Sequence, residues 1–450
     1  MNYTILKMKK NDYDVIVVGA GLSGLSCAYE LVRKKKKVLV LEAHSYAGGR
    51  TSSFYDNGMK VESGLHRYIG YYSALPSFLK KCGISIEDIV TWEEKVDILI
   101  KDKKGKVVLG VAPFFGFKKA IDGVVGNNTY LSMRDKLSLV SFFLCGFFRY
   151  LFSTKLDSFS VAEYANRHHV TENAKRLILE PLSSGIFFLP PENYSAYAFF
   201  GLFAPAIPKF YKMRIGAFLG GMTEVMCEPI VRKIQSLGGE FVFNEPVKQV
   251  LLKDNEVIGV ETDSGHQYTA AQTVIATTLS AAKKILMPLK QKRELQNFYC
   301  LPCMSAATIQ IELDKPALKK DITTFGPGTD MVSFAEQSGT TFRHTKGRLS
   351  IILGNPNEYC QMQAEEILPV VIKQMQQLGV SLDGHILRFR KITESNEFYS
   401  LDKNNQRLRP RQKTGINGLV LAGDYTRTSS FATMEGAVIA GKKAAKVCFK

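Results

Sequence analysis

Three glycines near the start of the chain have the spacing of a phosphate-binding turn. Gly19, Gly21 and Gly24 form a G-x-G-x-x-G motif between the apolar run 13–18 and a helix-like segment that opens with Leu22 and Ser23. The first glycine permits a tight turn, the second lets the backbone approach a pyrophosphate, and the third permits close packing of helix on strand. The amides at the start of the helix would face the negative charge of the ligand.

An acidic residue follows the motif at the position where a ribose would lie. Glu42, followed by Ala43, closes the second apolar run 38–41, about 20 residues beyond the glycines, which is the usual distance. Its carboxylate can accept hydrogen bonds from ribose hydroxyls and would repel a 2′-phosphate, which disfavours NADP. The strand–turn–helix–strand pattern predicts an α/β fold that begins with a dinucleotide-binding unit.

The C-terminal part of the chain carries a second strand–glycine–helix pattern. The apolar strand 418–422 leads into Gly423 and Asp424, and a helix is predicted to begin near Met434, Glu435 and Ala437. An aspartate at a strand end can accept hydrogen bonds from the ribityl hydroxyls of a flavin. The start of a helix can point its amides at the electron-rich edge of a reduced flavin. Both ends of the chain are therefore expected to build one cofactor site.

Further stretches of the sequence indicate the type of dinucleotide and the protein family. Gly48, Gly49 and Arg50 follow the ribose acid and are not part of an ordinary NAD fingerprint, although Arg50 could simply be solvated. The chain resembles phytoene and zeta-carotene desaturases and hydroxysqualene dehydroxylase. The stretches that carry this resemblance, together with these motifs, are "ESGLHRYIGYYSALPSFLKKCGI", "EPLSSGIFFLPPENYSA", "LGGMTEV" and "LRPRQKTGINGLVLAGDYTRTSSFATMEGAVIAGKKAA". These enzymes belong to the flavin amine oxidase superfamily, and the matching stretches cover almost the whole chain in order.

The resemblance implies a fold and a cofactor. It implies a Rossmann-like FAD-binding domain of the GR2 type, formed by 12–85, 215–285 and 412–450, with a discontinuous α+β substrate domain formed by 86–214 and 286–411. It places Arg50 beside the pyrophosphate and the backbone of Val247 against the adenine. Thr277, at the end of a buried strand, is a further cofactor candidate. Since no cysteine lies near Asp424–Gly436, we expect FAD to be bound non-covalently.

The resemblance also implies the chemistry. Hydride transfer between a hydrophobic isoprenoid and flavin N5 needs no protein nucleophile, because the cofactor carries most of the reaction. His66 and Arg427 are the catalytic candidates; a structural histidine and a solvated arginine are the alternatives. The electron acceptor stays open among a quinone, oxygen and another flavoprotein. No metal is expected, because the one close cysteine pair, Cys300 and Cys303, has neither a second pair nor a nearby histidine.

The charge and hydropathy of the chain bear on whether it binds to or spans a membrane. The formal net charge is +17, which favours an anionic partner, yet no nucleic-acid-binding motif is present. The stretch 139–152, "LVSFFLCGFFRYLF", is too short to span a bilayer and is expected either to be fully buried or to face lipid as a substrate entrance. The basic runs 7–10 and 33–37 favour an anionic membrane surface.

Three functions therefore stay open. The first is an FAD-dependent isoprenoid desaturase or dehydroxylase, the second a soluble flavin amine oxidase, and the third a non-catalytic flavin-bearing lipid-binding protein. A cytosolic location is expected because the N-terminus lacks an apolar signal core, with the inner face of the membrane as the place of peripheral binding. Aromatic residues of the middle region suit either a core or an apolar tunnel: Phe187, Phe188, Tyr197, Phe199, Phe200 and Phe203.

Overall fold

The computed structural model describes residues 12–93, 95–102, 105–110 and 130–449. The basic run 7–10, which was interpreted as part of a membrane-facing surface, lies outside the described residues.

The strands and helices have the following bounds. The strands are β1 Tyr13–Val18, β2 Val38–Leu41, β3 Ser53–Asp56, β4 Met59–Glu62, β5 Tyr68–Ile69, β6 Val90–Glu93, β7 Lys95–Leu99, β8 Lys106–Gly110, β9 Ile215–Phe218, β10 Glu240–Val242, β11 Val247–Lys253, β12 Glu256–Thr262, β13 Gln267–Ile275, β14 Cys303–Leu313, β15 Thr324–Phe325, β16 Met331–Glu336, β17 Gly347–Leu353, β18 Ile386–Tyr399 and β19 Leu419–Leu421. The helices are α1 Leu22–Val32, α2 Ala74–Lys81, α3 Ile86–Ile89, α4 Met133–Phe152, α5 Val161–Arg167, α6 Glu172–Ala174, α7 Glu180–Phe187, α8 Ala196–Phe203, α9 Glu228–Ser236, α10 Leu279–Ile285, α11 Gln296–Cys300, α12 Pro356–Tyr359, α13 Ala364–Gln377 and α14 Met434–Cys448.

The first large sheet contains the cofactor motifs. Its order is β10-β2-β1-β13-β12-β11, and β19 also pairs with β13. The strands β10, β2, β1, β13 and β19 run parallel, whereas β11, β12 and the first half of β13 form an antiparallel meander. The parallel strands β1 and β2 are apolar runs rich in valine because their side chains are buried on both faces of the sheet.

Close glycine contacts pack α1 on the turn after β1 and α14 on α1. A Cβ atom on Gly24 of α1 would lie 1.9 Å from the carbonyl oxygen of Gly19. A Cβ atom on Gly441 of α14 would lie 2.1 Å from the carbonyl oxygen of Ser23. The predicted role of the third glycine of the motif, close helix–strand packing, is what Gly24 performs here. The N- and C-terminal motifs consequently sit side by side.

The second large sheet has the order β18-β14-β17-β16-β15-β7-β8 and is antiparallel except where β15 meets β7. Two small sheets, β3-β4 and β5-β9-β6, lie outside these two. All strands of the first large sheet fall within the segments predicted to bind FAD. The strands of the second fall within the segments predicted to bind substrate.

Helices from 133 onward form a third layer, and α4 is anchored at its start. Ser132 and Asp135 form a reciprocal capping box, and the Asp135 carboxylate also accepts hydrogen bonds from Thr171 and Asn173. Burial opposes the charge on Asp135, but these hydrogen bonds lower its pKa to about 2. The inner face of α4 packs on α8, where Phe142 stacks with Phe200 at a centroid distance of 5.1 Å.

Candidate active site

A cavity of about 1010 Å³ is lined by residues of both large sheets. Its volume is at the upper end of the ~300–1,000 Å³ that ligand pockets usually occupy. The glycine motifs line one part of it, and apolar side chains of the second sheet and of α7 and α8 line another. The cavity therefore offers space for a long cofactor and a second ligand beside it.

Glu42 is fixed in the adenosine part of the cavity by the backbone. Its Oε2 accepts a hydrogen bond from the Ala20 amide at 2.7 Å, and its Oε1 accepts one from the His44 amide at 3.0 Å. The side chain is buried, yet Glu42 lines the cavity. Each carboxylate oxygen retains a lone pair that a ribose hydroxyl can use.

The turn that carries Arg50 requires two glycines. Gly48 and Gly49 have φ of 129° and 54°, which glycine adopts at little cost, and Gly48 bridges to Gly21 of the first motif. The Arg50 guanidinium pairs with the Asp424 carboxylate at 2.8 Å and lies 4.4 Å from the centroid of the Phe398 ring. This ion pair joins the N-terminal and C-terminal motifs at the cavity wall.

The start of α14 lies beside this pair. Gly423 adopts φ of 134°, and the Thr433 hydroxyl caps the helix by accepting a hydrogen bond from the Gly436 amide at 3.1 Å. Met434 and Ala437 line the cavity. Glu435 does not line it, and its contact with the cofactor stays a prediction. Its carboxylate instead caps α2 by accepting hydrogen bonds from the amides of Ser73, Ala74 and Leu75.

His66 lines the cavity and is hydrogen-bonded through both ring nitrogens. Nδ1 lies 3.1 Å from a Glu62 carboxylate oxygen, and Nε2 lies 2.8 Å from the Arg50 carbonyl oxygen. Both partners are acceptors, so both nitrogens must donate, and only the imidazolium can do so. Burial opposes this charge, but Glu62 and the Arg50 carbonyl raise the pKa of His66 above 6.5. The imidazolium thereby ties the Arg50 turn to β4.

Two glutamates of β18, which sequence reasoning missed, also line the cavity. Glu394 lies opposite Ala306 on β14, and Ala306 and Thr308 line the cavity from the same face. The strand register shifts at this point, and Asn396 adopts φ of 59° within the bulge, beyond which lies Glu397. Burial, with Glu397 nearby, raises the pKa of Glu394 to about 7, although Arg50 and His66 oppose the rise.

The remaining wall is apolar. Of the aromatic residues predicted for a core or a tunnel, Phe187, Phe188 and Phe203 line the cavity. Tyr197, Phe199 and Phe200 do not line it and pack between α8 and its neighbours, with Phe199 and Phe200 fully buried. Both interpretations of the aromatic segment therefore hold, each for different residues.

The structure brings together all the predicted cofactor residues except Gly24 and Glu435. The following line the cavity: Gly19, Gly21, Leu22, Ser23, Glu42, Ala43, Gly48, Gly49, Arg50, Val247, Thr277, Gly423, Asp424, Met434 and Ala437. Arg427 lies elsewhere, beside a separate pocket of about 240 Å³. Its guanidinium donates to the carbonyl oxygens of Arg409 and Arg407 at 2.7 and 2.9 Å. These contacts favour the structural alternative for Arg427, and its role toward the flavin stays a prediction.

The residues present fit FAD. The fixed carboxylate of Glu42 matches an adenosine ribose, and the glycine turn before α1 leaves its amides open to a pyrophosphate. A Cβ atom on Gly21 would meet no atom closer than 3.8 Å, so a phosphate can approach this backbone. Asp424 and the start of α14 line the same cavity and would hold the ribityl chain and ring edge of the flavin. Among the described residues, no cluster of side chains could hold a metal ion.

The stretch 139–152 belongs to the longer helix α4, and the expectation that it is fully buried is wrong. One face, with Phe142 and Gly146, is buried. The opposite face exposes a stripe of apolar side chains, in which Leu144, Phe148 and Phe152 are 67%, 66% and 73% exposed. In the described part of the chain, no helix has the length and apolar content to cross a membrane.

Comparisons with known proteins agree with this geometry. A family model described as flavin-containing amine oxidoreductase matches residues 22–448. The 15-cis-phytoene desaturase of Synechococcus elongatus is 24% identical over 96% of this chain and 95% of its own length. A probable zeta-carotene desaturase of the same organism is 25% identical over 96% of this chain and 98% of its own.

Solved structures share the fold. A triple mutant of putrescine oxidase has a TM-score of 0.75 at 16% identity, covering 97% of this chain and 98% of its own. An oxidoreductase from Methanosarcina mazei has a TM-score of 0.74 at 17% identity, covering 97% of this chain and 100% of its own.

Proposed function

We propose that this chain, which belongs to the family of flavin-containing amine oxidoreductases, acts on a hydrophobic isoprenoid. It is an FAD-dependent enzyme, so the non-catalytic alternative is set aside. The reaction we propose is desaturation of a carotenoid precursor or dehydroxylation of a squalene-type alcohol. The relatives named phytoene and zeta-carotene desaturases match nearly the whole chain and support this substrate class.

The observation that carries the proposal is the apolar wall of the cavity. Phe187, Phe188 and Phe203 line it together with Leu182 and Ile186. A long hydrocarbon gains free energy when it leaves water for such a wall, at about 25 cal/mol per Å² of apolar surface. Small soluble substrates do not require an apolar surface of this extent.

The chain's own residues hold and orient the reactants. When bound, FAD supplies the redox chemistry by exchanging a hydride at N5 with a substrate carbon. Arg50 and Asp424 fix the two turns that would hold the cofactor, and the His66 imidazolium keeps the Arg50 turn in place. The apolar wall excludes water from the reacting carbon. Since none of the described cysteines lies near Asp424–Gly436, we expect FAD to dissociate when the protein is denatured.

The substrate would reach the cavity from a membrane, because such isoprenoids are held in lipid. The exposed stripe of α4 consists of Met133, Leu137, Val140, Leu144, Phe148, Leu151 and Phe152. Arg134, Arg149 and Lys155 are exposed on or beside it, and the formal net charge is +17. Apolar side chains bordered by cations suit peripheral binding to an anionic leaflet. We propose this leaflet as the occupant of the stripe and the inner face of the membrane as its location.

A soluble flavin amine oxidase is the second candidate, because Glu394 and Glu397 in the cavity could bind a cationic amine. The Arg50 guanidinium and the His66 imidazolium already act on Glu394, however. A third cation would compete with these two. The isoprenoid proposal therefore stays first.

Product analysis tests the proposal. The FAD-loaded enzyme is mixed with anionic liposomes that contain phytoene, either with a quinone or in air, because the acceptor we propose is a quinone or oxygen. The expected product has additional conjugated double bonds and absorbs at longer wavelength. A parallel reaction with the flavin reduced beforehand and an isoprenoid alcohol tests dehydroxylation. Conversion of benzylamine or putrescine, with no conversion of either lipid, would overturn the proposal in favour of an amine oxidase.

A further inference from the structure

Glu394 lies outside the sequence motifs predicted to bind FAD, yet it lines the cavity. It lies on β18 of the second sheet, across from Ala306, and shares the cavity face with Ile392 and Thr308. Neighbouring wall residues are apolar, for example Phe398 and Ile352. A carboxyl group in such a wall costs free energy unless something polar meets it.

Glu394 lies beside a bulge in β18. Between Met304 and Ala306 the register with β18 shifts, and the Asn396 amide donates to the Ser305 hydroxyl at 3.0 Å. Asn396 has φ of 59°, a conformation that asparagine tolerates better than most residues. Bulges beside active sites commonly redirect a side chain. Here Glu397 accepts a hydrogen bond from the Ser280 hydroxyl at 3.0 Å, whereas no side-chain hydrogen bond to Glu394 is found among the described residues.

The groups around Glu394 come from three elements. Arg50 belongs to the glycine turn, His66 follows β4, and Glu397 shares β18. Arg50 is already paired with Asp424, and His66 with Glu62. Glu394 thus keeps hydrogen-bonding capacity for a ligand, and burial raises its pKa to about 7, so the neutral form is well populated up to that pH. A neutral carboxyl group both donates and accepts a hydrogen bond.

We propose that Glu394 is a specificity-determining residue that selects an isoprenoid carrying a hydroxyl group over a pure hydrocarbon. This inference rests on the proposed function and narrows its substrate class. An alcohol can accept a hydrogen bond from the neutral Glu394 carboxyl group and donate one back. A hydrocarbon in the same place leaves the carboxyl group buried without a partner, which weakens its binding. The isoprenoid alcohol is therefore the preferred ligand.

Binding to the oxidised, FAD-loaded enzyme tests this without turnover, by the change in visible flavin absorbance. Three probes share one skeleton: geranylgeraniol, its methyl ether, and the hydrocarbon in which hydrogen replaces the hydroxyl. We expect the alcohol to bind about tenfold more tightly than the hydrocarbon, as one net hydrogen bond allows. The ether accepts but cannot donate, so its preference over the hydrocarbon should hold near pH ~6 and vanish near pH ~8.5 as Glu394 ionises.

Variants of Glu394 and one control variant test whether this carboxyl group causes the preference for oxygen-containing probes. Glu394→Leu should remove the preference for both oxygen-containing probes, whereas Glu394→Gln, whose amide donates at every pH, should keep the ether preference at both pH values. Glu365→Gln, at an exposed acid outside the cavity, is the control and should retain the pH dependence. The FAD content of each variant checks that it has folded.

Two results would overturn the inference. Equal affinity for alcohol and hydrocarbon in the wild type, or an unchanged preference in Glu394→Leu, would contradict the selective role while leaving an isoprenoid function in place. A flavin response to benzylamine or putrescine, with none to the three isoprenoids, would overturn the proposed function as well.

Discussion

His66 shows how one residue can join cofactor and substrate parts of the site. Its two ring nitrogens meet a carboxylate of Glu62 and the carbonyl of Arg50, and Glu62 also accepts the Met222 amide at 2.9 Å. Gln310 on β14 holds the backbone of Glu62 through two hydrogen bonds. The chain of contacts therefore runs from the second sheet to the turn that carries Arg50.

The charge on His66 predicts a pH-dependent stability. Its pKa is raised in the folded protein, so its contribution is fully present below the unfolded pKa of about 6.5 and is lost as pH rises through the folded pKa. We expect His66→Gln to lower the free energy of unfolding by about 2 kcal/mol near pH ~5.5, the size of a charge-assisted hydrogen bond.

Urea unfolding of wild type and His66→Gln between about pH 5.5 and 9 measures this. The difference in the free energy of unfolding should shrink steadily with rising pH. A difference that grows above neutral pH would mean that His66 is held neutral, contrary to the hydrogen-bond pattern.

At the scale of elements, the packing of α1 on β1 depends on a missing side chain. The Gly24 position has no room for a methyl group, because the Gly19 carbonyl oxygen would lie 1.9 Å away. Gly339, by contrast, has no atom within 4 Å of its added Cβ and lies outside the site.

Gly24→Ala should therefore destabilise the protein by about 3 kcal/mol or more, the upper range for overpacking, and should reduce FAD retention. Gly339→Ala is the matched control and should change neither property. Thermal unfolding and the ratio of flavin to protein absorbance measure both. A fully flavin-loaded Gly24→Ala protein with unchanged melting temperature would show that α1 can shift away from β1.

The elements that the sequence predicted well are those whose signals are local. Gly19–Gly24 joins β1 to α1, and Gly423–Asp424 follows the end of β19, so glycine spacing and apolar runs suffice to place them. Glu394 escaped prediction because its orientation depends on a bulge and on pairing with β14, which is far away in sequence. A residue at a helix start, such as Glu435, can serve a cofactor or another helix, and only the tertiary structure shows that its carboxylate caps α2.

The helix α4 also has a feature that could not be predicted from the sequence. An apolar stretch bounded by charges predicts a helix, but not which face a neighbour covers. Gly146 lets the Phe200 ring of α8 approach so closely that a Cβ would lie 2.0 Å from it. This contact buries one face and leaves the stripe with Leu144 and Phe148 exposed.

At the scale of the whole molecule, two sheets enclose the cavity and α4 presents its apolar stripe on the outside. If the stripe binds an anionic leaflet, the double variant Leu144→Asp and Phe148→Asp should reduce liposome binding at least tenfold, because charge replaces apolar contact with lipid. Leu387→Asp, at a residue that is 61% exposed on β18, is the matched control and should bind like wild type.

Co-sedimentation with vesicles of phosphatidylglycerol and phosphatidylcholine measures this binding, and raising the salt concentration should weaken it. Equal sedimentation of the double variant and the wild type would exclude the stripe as the membrane surface. Flavin content confirms that each variant is folded.

The central claim is that a lipid, and not an amine, reacts with the bound flavin. Its most direct test is the visible absorbance of the flavin under anaerobic conditions, with phytoene or a hydroxylated isoprenoid delivered in anionic liposomes and with a panel of amines. The account predicts that phytoene bleaches the oxidised flavin, or that the isoprenoid alcohol restores the colour of flavin reduced beforehand, while amines do neither. Bleaching by amines, with no response to either lipid in either direction, would contradict it.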